Sequence, residues 1–159
     1  MFGLFKSKKQ IVFSPVDGDI VELEDVPDEV FSTKLAGDGI AITPHSNTFV
    51  APVSGVITKI FSTNHAFSIK TSNGLEIMVH IGLDTVELNG EGFKALAKEG
   101  DKVSVGKPII SADLAFIESK GKPTITPIVV NYEKELVINS DKIRIIREGE
   151  ELMEIIVLK

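Results

Sequence analysis

The chain has no cysteine. That excludes disulfides and thiolate metal sites, and it fits a reducing compartment, so the cytoplasm is the expected location. A basic excess is also missing. Lys and Arg number 17 against 23 Asp and Glu, a formal net charge of −6, whereas a nucleic-acid binder presents a basic face. No apolar run approaches the ~20 residues that a membrane-spanning helix needs. His-x-His and His-Glu-x-x-His are absent too, and with them the compact ligand spacings of zinc enzymes.

What remains is an ordinary globular composition, 43% hydrophobic and 25% charged over 159 residues. A chain of that length fits one domain and buries roughly two-thirds of its unfolded surface. Residues 1–10 (MFGLFKSKKQ) combine Phe2, Leu4 and Phe5 with Lys6, Lys8 and Lys9. The apolar part is too short for a secretory core. We expect a flexible tail over 1–10, with at most weak membrane-surface contact, and a single domain over 11–159. The start at Met1 with a lysine-bearing tail leads to the expectation of a free-standing protein.

From Ile11 onward short β-rich runs recur at 11–14, 19–23, 39–43, 48–50, 55–61, 65–70, 75–80, 102–105, 108–112, 124–130, 135–139, 142–147 and 152–157. Gly, Pro, Asn and Asp punctuate them, which is the pattern of an all-β antiparallel sandwich or barrel. Two short helices are expected. Glu91 to Glu99 places Phe93, Leu96 and Ala97 on one face and stops at Gly100. Leu114 to Lys120 follows Asp113, a good N-cap, and ends at Gly121. Ser14-Pro15-Val16-Asp17-Gly18-Asp19-Ile20 echoes Ala51-Pro52-Val53-Ser54-Gly55-Val56-Ile57. The run Gly100 to Pro108 is similar to a turn of biotinyl and lipoyl carrier domains, but no Met-Lys-Met follows. The likeness is therefore one of sandwich architecture, not of chemistry.

The chemistry concentrates in two of the three histidines. His65 opens the run HAFSIK, and His80 closes the run LEIMVH after the turn composition Thr71-Ser72-Asn73-Gly74. If Lys70 pairs with Leu75 around that four-residue loop, His65 lies directly opposite His80, with Cβ atoms about 4.5–5.5 Å apart. A turn centred on Asn73-Gly74 makes them diagonal neighbours on one face. Only a register shifted by one residue separates them, because side chains alternate with period two. Two imidazoles on one face suit a metal site, an acid–base pair or a phosphoryl acceptor. His45 sits in a turn composition, Thr43 to Asn47, and receives no role.

The run G-L-E-I-M-V-H-I-G-L-D-T-V (74–86) resembles the signature around the phosphorylated histidine of glucose-type IIA components of the bacterial phosphoenolpyruvate-dependent sugar phosphotransferase system. The resemblance extends through TNHAFSI (63–69), VELNGEGF (86–93), VPDEVFS (26–32), GDGIAI (37–42) and APVSG (51–55). It covers nearly everything from Phe13 onward.

The resemblance implies a barrel-sandwich type β-sandwich with a duplicated hybrid motif, and a IIA phosphocarrier domain over 11–159. It implies that His80 is phosphorylated through Nε2, with its Nδ1–H held by a backbone carbonyl, for which Gly82 is the candidate. His65 would then stabilise the phosphoryl group, and Thr63 would orient His65. Phe31, Phe61, Phe67, Met78 and Val86 would form an apolar docking rim. Asp28 and Asp84 would meet basic groups on partners. Met78 stands where an aromatic is common in the family, a change that methionine's adaptable packing tolerates.

The partners implied are the histidine-containing phosphocarrier protein as donor and the IIB domain of a glucose-type permease as acceptor, with regulatory proteins as further targets. No cofactor is implied. Two other readings are a zinc-dependent hydrolase, in which Asp84 completes the ligand set, and a non-catalytic interaction module.

Overall fold

The sandwich expected from the punctuated strand pattern is present. The computed structural model describes residues 8–140 and 144–158. Among them run fourteen strands: β1 (Lys8–Phe13), β2 (Gly18–Glu22), β3 (Asp38–Pro44), β4 (Thr48–Val50), β5 (Gly55–Ile60), β6 (Ala66–Lys70), β7 (Glu76–His80), β8 (Phe93–Ala95), β9 (Lys102–Val103), β10 (Pro108–Ala112), β11 (Thr126–Val130), β12 (Leu136–Ser140), β13 (Ile145–Ile146) and β14 (Glu151–Val157). The strands form one eight-stranded sheet, ordered β13-β2-β3-β11-β7-β6-β5-β9. Two three-stranded sheets, β1-β14-β12 and β4-β10-β8, complete the fold. The described pairings are antiparallel.

The two echoing segments meet each other. Phe13 N donates to Pro52 O and Val50 N donates to Pro15 O, both at 2.9 Å. The repeat in the sequence is thus a reciprocal backbone contact between two corresponding strand connections, the one after β1 and the one after β4.

Strand alternation divides the interior. β7 sends Ile77 and Val79 into the main core, together with Phe67 and Ile69 of β6 and Ile128 and Val130 of β11. Met78 faces the other way, onto a smaller cluster of Leu23, Val26, Phe31, Ala41, Leu83 and Val129. Because side chains alternate along a strand, His80 belongs to the Met78 side. Phe31 reaches that side from α1 (Glu29–Ser32), a single turn whose N-cap, Asp28, accepts a hydrogen bond from Val30 N.

Three expectations need correction. Residues 8–10 of the expected tail are strand, since Lys8, Lys9 and Gln10 pair with Val157, Ile156 and Ile155 of β14. Residues 1–7 lie outside the described residues. Glu91 to Glu99 is not a helix: Gly90 and Gly92 adopt positive φ, and Phe93 to Ala95 pair with β10. Weak helical periodicity yields there to a tertiary ladder, which satisfies the same backbone groups and buries Phe93 against the core.

The hairpin register also differs from both versions drawn from the sequence. Lys70 pairs with Glu76, so the connection is the five residues Thr71 to Leu75 and Ala66 lies opposite His80. Thr71 explains the extra residue. Its N–H donates to Leu75 O, and its hydroxyl accepts from Leu75 N, so the threonine closes the loop one residue further on. The helix over 114–120 is present as α2 (Leu114–Ser119), with Asp113 accepting from Phe116 N and Lys120 as C-cap. The α1 turn and a 3-10 turn over Thr85–Leu88 are elements that periodicity did not reveal.

Candidate functional site

In the observed register, strict alternation would put His65 and His80 on opposite faces of the sheet. Their rings nevertheless meet, with centroids 4.9 Å apart at an interplanar angle of 81°. The reason is local. His65 precedes the first regular residue of β6 and follows Asn64, which holds the left-handed conformation at φ 58°. The chain has not yet entered the pleat at His65, so the alternation rule does not govern it. The backbone still joins the sheet there, because Ile81 N donates to His65 O at 2.7 Å.

Each ring is held from its Nδ1 side. His80 Nδ1 lies 2.7 Å from Gly82 O. A carbonyl can only accept, so Nδ1 carries the proton and Nε2 the lone pair. Gly82 can present that carbonyl because it sits at φ +78°, and a Cβ there would fall 2.6 Å from Thr85 Cγ2 and 2.7 Å from Pro123 O. His65 Nδ1 lies 2.5 Å from Thr63 Oγ1. The two imidazoles also form the middle of a row of rings: Phe61 lies 5.3 Å from His65, and Phe31 lies 5.0 Å from His80. Lys59 Nζ sits over the Phe61 ring, 5.2 Å from its centroid.

Burial sets the protonation state of the pair. His65, only 4% exposed, is lowered to about 4, first by desolvation and then by repulsion from His80. His80 is lowered as well, by desolvation. The Gly82 carbonyl and the carboxylates of Asp28 and Asp84 oppose that shift. Both rings are therefore neutral near pH 7, which is the nucleophilic form of imidazole.

The same shift makes stability depend on acid. Below about pH 6.5 an unfolded His65 takes a proton that the folded ring refuses until about pH 4. A lowered imidazole therefore contributes stability fully above pH 6.5 and loses it as pH falls toward 4, up to about 3 kcal/mol for a shift of this size. We expect the unfolding free energy to fall across that window, and His65→Gln to flatten the fall. Denaturant melts at pH 7 and pH 4.5 measure it, and parallel pH slopes in wild type and variant would contradict the assignment.

The residues expected in the rim differ in exposure. Val86 is 50% exposed and Val30, beside Phe31 on α1, is 46% exposed. Phe61 is half-buried against His65, and Met78 is half-buried on the His80 side of the sheet. Phe31 is buried and serves as a wall for His80, not as open rim. Phe67 is corrected outright: it is 0% exposed, pairs with Val79 and points into the main core. The alternation that brings Met78 to the His80 side sends Phe67 away from it.

Asp28 and Asp84 are near enough to act on His80 through charge. Asp84 adopts φ 56° ahead of the 85–88 turn. His45 is spent on Asp19, Nε2 to Oδ2 at 2.8 Å. Among the described residues no group of three or more His, Cys, Asp or Glu gathers in metal-holding geometry. The two imidazoles thus lack the third protein ligand that a catalytic zinc generally takes.

Residues missed from the sequence alone include Thr85 and Pro123. Thr85 Oγ1 donates to Ile81 O at 2.6 Å, and Pro123 O accepts from Leu83 N at 3.1 Å. Thr85 stands inside the 74–86 run, which was the available signal; nothing near Pro123 marks it.

Comparison with known proteins finds matches over most of the chain. The family model for the phosphoenolpyruvate-dependent sugar phosphotransferase system, EIIA 1, matches residues 10–136. The PTS system glucose-specific EIIA component of Buchnera aphidicola subsp. Acyrthosiphon pisum is 54% identical over 127 residues, covering 80% of this chain and 79% of that protein. Its counterpart in Haemophilus influenzae is 52% identical over 131 residues, covering 82% and 79%. Among solved structures, the glucose permease IIA from Mycoplasma capricolum matches with a TM-score of 0.87 at 38% identity, covering 92% of this chain and 96% of that one.

Proposed function

Since the chain belongs to the EIIA 1 family of the phosphoenolpyruvate-dependent sugar phosphotransferase system, and is thus a phosphocarrier in sugar uptake, we propose that His80 Nε2 is the atom that carries the phosphoryl group. The observation that carries this assignment is the 2.7 Å contact from His80 Nδ1 to Gly82 O. It fixes the tautomer whose Nε2 lone pair faces away from the backbone.

In acceptance, that lone pair forms the N–P bond while the P–N bond to the donor's phosphohistidine breaks, its electron pair returning to the donor ring. In donation the sequence reverses onto a nucleophile of the acceptor. Little covalent work falls to the protein, so positioning and charge stabilisation carry the rate. His65 supplies the stabilisation. When the Thr63 hydroxyl donates to His65 Nδ1, the proton of the neutral ring resides on Nε2, leaving an N–H donor for the phosphoryl oxygens. The histidine-containing phosphocarrier protein is the donor in this reading, a IIB domain of a glucose-type permease is the acceptor, and the cytoplasm is where they meet. The chain from Lys8 onward acts as one phosphocarrier domain. Incubation with phosphoenolpyruvate, the system's first enzyme and the carrier protein, followed by site mapping under non-acidic conditions, tests it. A phosphoryl group found anywhere but on His80 would overturn the assignment.

Partners dock on the apolar surface around Val86, Val30, Phe61 and Met78, and Asp28 and Asp84 at its edge steer basic donors. Asp28→Asn keeps a good N-cap, and Asn tolerates the left-handed backbone of position 84, so both variants change charge with little change of shape. Exposed charges are screened over about 10 Å at 0.1 M salt. The association rate with the upstream carrier should fall as salt rises in wild type and fall less in each variant. Unchanged rates and slopes in both would remove these acids from the docking surface.

A further inference from the structure

The tautomer of His80 depends on one carbonyl, and that carbonyl belongs to a loop residue beyond the end of β7. Something must hold the 81–82–83 backbone in place. Leu83 N is tied to Pro123 O at 3.1 Å. On the other side of Gly82, the hydroxyl of Thr85 reaches back to Ile81 O at 2.6 Å. Thr85 is fully buried, and its methyl lies so close to Gly82 that a Cβ there would sit 2.6 Å from it. Ile81 O and Gly82 O are consecutive acceptors. Gly82 O lies in the Gly82–Leu83 peptide plane, which Leu83 N anchors to Pro123 O, and Thr85 anchors the preceding Ile81–Gly82 plane, so the two bonds together clamp the Gly82 φ and ψ that aim its carbonyl.

We propose that Thr85 is a positioning residue for phosphoryl transfer: its hydroxyl bond to Ile81 O orients the Gly82 carbonyl and so keeps the His80 proton on Nδ1. The proposal rests on the assignment of His80 as the phosphoryl acceptor. Without that hydroxyl the Ile81–Gly82 peptide loses its side-chain anchor, Gly82 O drifts from Nδ1, and the ring gains access to the tautomer with its proton on Nε2. In that form Nε2 has no lone pair to offer phosphorus. The role acts through Gly82 and His80; Thr85 itself touches no phosphoryl group.

The test compares Thr85→Val and Thr85→Ala, which both remove the hydroxyl, with Thr85→Ser, which keeps it and loses the methyl. Two readouts are taken on the full chain. The first is the nitrogen-15 shifts of the His80 ring near pH 7. The second is the rate of phosphoryl acceptance from the phosphorylated carrier protein. Wild type and Thr85→Ser should show a single Nδ1–H tautomer and rates within about threefold of each other. Thr85→Val and Thr85→Ala should show mixed tautomers and a loss on the order of tenfold, the scale seen when a working histidine loses its orienting partner.

A single Nδ1–H tautomer and a wild-type rate in a folded hydroxyl-free variant overturn the proposal, as does mixing in Thr85→Ser. If Thr85→Val does not fold, Thr85→Ala decides; if neither folds, Thr85→Cys does, because it puts a weak thiol donor in place of the hydroxyl, with partial mixing expected and a single Nδ1–H tautomer at the wild-type rate overturning the proposal. The tautomer readout needs no phosphorylation. Failure of the His80 assignment would appear in wild type as phosphate elsewhere, with the ring shifts still informative about Thr85.

Discussion

His80→Gln should abolish phosphoryl acceptance, with a loss of at least about a thousandfold, as when a covalent nucleophile is removed. Glutamine approximates the reach of the imidazole, but its amide nitrogen lone pair is delocalised into the carbonyl and does not attack phosphorus. Its carboxamide can still donate to Gly82 O, and the residue is only half-buried, so the fold should persist. Transfer of labelled phosphate from phosphoenolpyruvate through the carrier measures the effect, alongside a thermal melt. Labelling at the wild-type level in a folded variant would place the acceptor elsewhere.

His65→Gln should separate the two half-reactions. Acceptance should continue, because the His80 nucleophile and its Gly82 contact are intact. Donation should slow by about 10²–10³, the usual effect of losing one preorganised donor at a developing charge. As the bond from phosphorus to His80 opens, the phosphoryl group redistributes charge over its oxygens, and the His65 N–H tracks it. That donor is aimed by Thr63 at 2.5 Å and by ring contacts to His80 and Phe61. A glutamine side chain has neither restraint. Single-turnover acceptance, followed by a chase with the permease, resolves the halves. Passage to sugar at the wild-type rate would remove His65 from the mechanism.

How much of this could be read from the sequence differs by element. Strands β2 to β7 and β9 to β14 fall close to the runs read from punctuation and alternation, because sheet pairing and burial both reward that pattern. Asp113 and Gly121 mark α2 correctly. What failed depended on contacts that a linear reading does not hold. Phe93 to Ala95 became strand because β10 was available to pair with it. Lys8 to Gln10 became strand because β14 was. The meeting of the histidines was inferred, but through a register that the Thr71 side chain displaced by one residue. The irregular backbone at Asn64 restored the encounter. Without that shift Phe67 would lie opposite Met78 on the histidine side; with it, Phe67 lies opposite Val79 in the core.

The hydrogen bond that arms His80 joins residues two apart, yet the loop behind it leans on Pro123, and β7 leans on β11. A hairpin such as β6–β7 forms in about 1–10 microseconds, whereas non-local sheets close in milliseconds to seconds. During that interval the hairpin, marginal on its own, lacks the buttress that aims the carbonyl. The buttress behind the Gly82 carbonyl is therefore completed only when the sheet closes, later than the hairpin that carries the two rings.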